Sequence, residues 1–77
     1  MALIRKFEQG TMTRNSIHDA IDAKYAVVRN DDRTFVQIDT FGRDTREIPG
    51  KKSQTIQLNR DSGLQLIKIL KEAFHVD

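Results

Sequence analysis

The side chains best suited to chemistry in this chain are flat rings and cations. Phe35 and Phe41 stand six positions apart in a run of alternating character, Thr-Phe-Val-Gln-Ile-Asp-Thr-Phe over 34–41. Tyr25 precedes them in a second β-prone run, and Arg29 and Arg33 bracket the turn between the two. Behind Phe41 come Arg43, Arg46, Lys51 and Lys52, four cations against the carboxylates of Asp44 and Glu47. A single-stranded nucleic acid needs this combination, because bases stack on aromatic faces while phosphates seek ammonium and guanidinium groups. Phe35 equally suits the core of a two-sided sheet, and the cations equally suit a solvated surface.

Catalytic chemistry is poorly served. The chain has no cysteine and two histidines. His18 and His75 are far apart, and Ser16, Ser53 and Ser62 have no histidine nearby and no nucleophile-elbow pattern. The stretch Pro49-Gly50-Lys51-Lys52-Ser53 lacks the upstream glycine of a phosphate-binding loop. Asp31-Asp32 reads as a turn rather than a metal site. We therefore expect no catalytic residue, no metal site and no cofactor.

The elements that must position these groups are few. Ala-Lys-Tyr-Ala-Val-Val over 23–28 is β-prone, so a strand is expected at about 22–29, although 17–28 also carries a helical pattern. Asn30-Asp31-Asp32-Arg33 is a hairpin turn, since Asn and Asp tolerate left-handed backbone. On the following strand Val36, Ile38 and Thr40 share one face and Phe35, Gln37, Asp39 and Phe41 the other. Pro49-Gly50 marks a turn in the basic loop 42–53, and Gln-Thr-Ile-Gln-Leu over 54–58 is a short strand. Asn59 is a good N-cap for a helix reaching Phe74, with Asp61 near its positive end. Leu64, Ile67, Leu70 and Phe74 form its apolar stripe, widened by Leu66, Ile69 and Ala73. Gly63 weakens the first turn by about 1 kcal/mol relative to alanine. Residues 1–16 read as an arm or edge strand, and 17–77 as one nucleic-acid-binding domain of β-β-β-α type.

With 77 residues, the chain is one small domain. Such a core supplies only about 3–5 kcal/mol without a staple, and cysteine staples are excluded. Oligomerisation is the remaining common solution, and the wide helix stripe makes Leu64, Ile67, Leu70 and Phe74 the candidate dimer interface. The net charge of +2 is mild, so clustering matters more than the total. No apolar run is long enough to span a membrane, and Met-Ala-Leu-Ile-Arg-Lys-Phe is not a secretory signal. A cytoplasmic location is expected, and nucleoid association is compatible with it.

The series Phe35 to Phe41, then Pro49-Gly50-Lys51-Lys52, then Thr55-Ile56-Gln57-Leu58-Asn59 before a final helix resembles the transcriptional coactivator positive cofactor four family. The resemblance covers about 25–74. It implies an α+β fold: a curved antiparallel sheet of about four strands with a C-terminal amphipathic helix, dimerising through helices. It implies binding of single-stranded DNA, largely without sequence preference, in transcription, replication or recombination. By position, Phe41 matches the strand-end aromatic that stacks bases, and Lys51 and Lys52 match the basic hairpin. The chain departs from the family in lacking tryptophan, in the extra Ser53-Gln54, and in placing acidic Asp39 where a cation is usual. RNA or duplex DNA are alternative ligands. A double-stranded-DNA regulator and a small protein-interaction or inhibitor module are the competing functions.

Overall fold

The computed structural model describes residues 1–12, 16–41 and 52–77. Among the described residues, four strands and one helix follow in the order β1 (Ala2–Ile4), β2 (Ala23–Asn30), β3 (Arg33–Phe41), β4 (Lys52–Leu58) and α1 (Arg60–Phe74). They form one sheet in the order β1-β4-β3-β2.

The β2–β3 hairpin is the frame. Its register pairs Asn30 with Arg33 and continues to Ala23 opposite Thr40. Only Asp31 and Asp32 lie outside the ladder, and Asp31 sits at φ 56°, in the left-handed region a tight hairpin turn requires. Strand β4 pairs antiparallel with β3, Leu58 opposite Val36 and Thr55 opposite Asp39. The register shifts between Thr40 and Phe41, which face Gln54 and Lys52, so Ser53 is the additional residue of a β-bulge.

The expectation of a wholly antiparallel sheet is corrected at β1. Ala2, Leu3 and Ile4 pair parallel with Ile56, Gln57 and Leu58, so the sheet is mixed and the N-terminal residues form its edge. A parallel neighbour needs a long connection rather than a hairpin, and here residues 5–51, with β2 and β3 among them, separate β1 from β4. Just after β1, the Gln65 amide clasps the backbone of Phe7: Phe7 N donates to Oε1 and Nε2 donates to the Phe7 carbonyl, both at 2.8 Å.

Strand β4 runs into α1 through a single residue. Asn59 is the N-cap: its side chain accepts from the Ser62 N–H at 2.9 Å, and the Ser62 hydroxyl accepts from the Asn59 N–H at 3.1 Å. Serine thus fills the return position usually held by Glu or Gln in a capping box. The helix closes at His75, in left-handed conformation.

So short a junction leaves the helix little chain with which to fold back over the sheet. Ser62 is buried and Leu66 half-buried, but every residue from Ile67 onward is exposed. Among the described residues Leu58, at 6% exposure, is the only buried apolar side chain. The radius of gyration is 14.8 Å, against about 11.5 Å for a compact domain of this length.

Candidate nucleic-acid interface

Residues directly opposed in a ladder share a face of the sheet, so the register sorts the side chains. One face carries Tyr25, Val27 and Arg29 from β2, Val36 and Ile38 from β3, and Ile56 and Leu58 from β4. The other carries Lys24, Ala26 and Val28 from β2, Phe35, Gln37, Asp39 and Phe41 from β3, and Thr55 and Gln57 from β4.

This second face is organised by a polar ladder. Thr55 Oγ1 donates to Asp39 Oδ1 at 2.7 Å. Gln37 Nε2 donates to both Asp39 oxygens, at 3.1 and 3.3 Å. Gln57 Nε2 donates to Gln37 Oε1 at 3.1 Å. The chain of bonds runs toward the carboxylate, which orients the Gln37 amide and through it that of Gln57. Asp39 and Thr55 are each only 9% exposed. The carboxylate is therefore held within the face rather than presented to solvent. Arg29 lies on the opposite face, across from Thr34.

The ladder is flanked by two rings with cations above them. Lys24 Nζ lies 5.4 Å from the Phe41 ring centre, and the Arg33 guanidinium 5.3 Å from that of Phe35. Each contact contributes about 0.5–1 kcal/mol at an exposed site. Alternation along β3 keeps the rings on one face, while their positions near opposite ends of the strand separate them.

The sequence-derived site residues are distributed as follows. Phe35 and Phe41 share the polar face. Tyr25, 77% exposed, and Arg29 fall on the opposite one, so they do not join the rings. Lys52 is placed by its backbone, opposite Phe41. Arg43, Arg46 and Lys51, with the turn at Pro49-Gly50, lie outside the described residues. The helix residues Leu64, Ile67, Leu70 and Phe74 are exposed. Phe35 also lines a groove of about 870 Å³ whose other wall includes Leu64, Ile67 and Leu70.

Sequence reasoning counted Arg33 among the cations at the ends of the sheet but missed Lys24 and the ladder as working parts. A signal was present: Gln37-x-Asp39 and Thr55-x-Gln57 are polar at period two in neighbouring strands, where an apolar face was available on the other side of each. Among the described residues there is no cluster of three or more His, Asp or Glu that could hold a metal ion. None of their helices is long and apolar enough to cross a membrane. Comparison with family models, curated proteins and solved structures gives no match.

Proposed function

We propose that this chain binds single-stranded DNA, largely independently of sequence, as a homodimer joined through α1. The observation that carries the reading is Phe41 at the strand end with the Lys24 ammonium over its ring, beside a polar sheet face. A ring with an adjacent cation offers one nucleotide both a stacking surface and a phosphate contact. The hydrogen-bonded, buried Asp39 removes the main electrostatic objection, because its charge is not directed outward. Lys52 and the cations of 43–51 extend the basic character in sequence beyond Phe41. A sheet curving around the strand, as the resemblance implies, belongs to the same proposal, as do roles in transcription, replication or recombination.

Fluorescence anisotropy with a labelled oligo-dT and a matched duplex tests the reading. The single strand is expected to bind more tightly, with affinity falling as salt rises by a slope of about 0.7 per phosphate contact. Phe41→Ala should weaken binding by about 1–3 kcal/mol. Equal affinity for the duplex, or binding indifferent to salt, would sink the proposal.

A second reading is favoured by the opposite face, where Tyr25 and Val27 are exposed together. A protein-interaction module would use that face. A pull-down returning a stoichiometric protein partner and no nucleic acid would support it.

A further inference from the structure

We propose that the free edge of β2 pairs antiparallel with β2 of a second copy, about a two-fold axis at Val27, so that two sheets join into one. This contact is separate from the α1 seam and does not rest on nucleic-acid binding. β2 is the outer strand of the sheet. A two-residue hairpin closes on a hydrogen-bonded pair, here Asn30 with Arg33, and bonded and non-bonded pairs alternate from there. Val28, Ala26 and Lys24 therefore bond to β3, while the backbone N–H and C=O groups of Arg29, Val27 and Tyr25 point away from it. Among the described residues, no hydrogen bond reaches those outward groups.

Sheet edges are ordinarily blunted by proline, a bulge, shortness or a covering segment. β2 has eight residues, no proline and an unbroken register with β3. Every residue in it except Val28 is exposed, Tyr25 at 77% and Val27 at 51%. The opposite edge, β1, is only three residues long. The cations Lys24 and Arg29 are the deterrent that β2 retains, so its partner must answer them.

The occupant follows from the register. Outward groups must meet outward groups, so odd-numbered residues of β2 face odd-numbered ones. Two such registers overlap nearly the whole strand. Centred on Ala26, Arg29 faces Ala23 of the second copy, and Lys24 faces Val28. Centred on Val27, Arg29 faces Tyr25 of the second copy, a cation beside a ring. Lys24 then faces Asn30, next to the acidic Asp31-Asp32 turn of the second copy. The register centred on Val27 answers both cations, and the two-fold axis repeats each contact. That axis stands normal to the sheet and keeps like faces together, so both polar ladders lie on one side.

The test uses the full chain without nucleic acid. Amide hydrogen exchange followed by NMR is expected to slow about tenfold or more at Tyr25, Val27 and Arg29 as protein concentration rises. In a sample mixed from labelled and unlabelled copies, a filtered NOE is expected between Ala26 Hα and Val28 Hα of different copies, because they form a closely spaced non-bonded pair. Val27→Pro removes an outward donor while leaving the bonds to β3 in place, and should abolish the concentration dependence at Tyr25 and Arg29. The NOE remains a readout even where Val27→Pro fails to fold. Outward amides that exchange freely at every concentration would overturn the pairing, whether or not a dimer forms through α1. Protection gained only when another extended polypeptide is added would rule out the second copy as occupant. NOEs centred on Ala26 would refute the register. The Ala26–Val28 NOE in a chain that fails to bind oligo-dT would support the pairing and leave only the functional proposal refuted.

Discussion

Replacing Asp39 separates a residue that holds the sheet together from one that touches the ligand. Its carboxylate accepts from Thr55 at 2.7 Å and from Gln37 at 3.1 and 3.3 Å. Bonds to a charged acceptor contribute about 1.5–3 kcal/mol net, and neutral ones about 0.5–1.5 kcal/mol. Asp39→Asn keeps an oxygen for Thr55 but sets an amide N–H₂ against Gln37 Nε2, so a loss of about 1–2 kcal/mol is expected. Asp39→Ala strands both donors, and Gln37 cannot simply turn over because its Oε1 already accepts from Gln57. The expected cost is about 2–4 kcal/mol. A double-mutant cycle with Thr55→Val should return a coupling of about 1.5–3 kcal/mol, since the double variant no longer strands the Thr55 hydroxyl and leaves only the Gln37 donor without its acceptor. Urea unfolding at one fixed protomer concentration measures all of these, because the stability of the proposed dimer would depend on concentration. The same Asp39→Asn protein, kept below its unfolding transition, should bind oligo-dT within about twofold of the parent, roughly 0.4 kcal/mol. A variant as stable as the parent, or one that binds DNA much more tightly, would refute the picture of an inward-held carboxylate.

Three further expectations concern the frame. Asn59→Ala removes the acceptor for the Ser62 N–H and should lower stability by about 0.5–2 kcal/mol, read from the urea midpoint. Asp31 at φ 56° should tolerate glycine with little loss, whereas Asp31→Val should cost about 1–3 kcal/mol; equal stability of the two variants would contradict the turn geometry. Gln65→Ala should speed hydrogen exchange at the Phe7 amide without altering exchange in β3, because that N–H bonds to the Gln65 side chain.

The hairpin and the helix were legible in the sequence for physical reasons. Two β-prone runs around Asn-Asp-Asp-Arg could hardly pair otherwise, and Asn59 before an apolar stripe announces a helix start. Alternation alone put Phe35 and Phe41 on one face. The placement of Tyr25 was also available: a two-residue turn at 31–32 sets it opposite Ile38, away from the rings. Three residues of β1 carry too little pattern to choose parallel over antiparallel pairing, since their partner strand supplies half the information. The Gln65–Phe7 clasp joins residues 58 apart in sequence and leaves no local trace. The ladder was obscured because an acidic residue on a face expected to bind nucleic acid is judged by its charge until its neighbours are known.

The parallel pairing of β1 with β4 has a consequence for the order of folding. Ala2 leaves the ribosome long before Ile56, its partner. The β2–β3 hairpin can close locally and β4 can add to it while the first residues still have no strand beside them. Pairings between distant parts of a chain are slow, because loop closure must precede the contacts that reward it. Until β1 arrives, the outer edge of β4 is an unprotected row of backbone donors and acceptors beside Ile56 and Leu58, open to the strand of any neighbouring nascent chain. The three residues of β1 thus serve as the closing edge of the sheet, and the rate at which they dock sets how long the chain is vulnerable to misassembly.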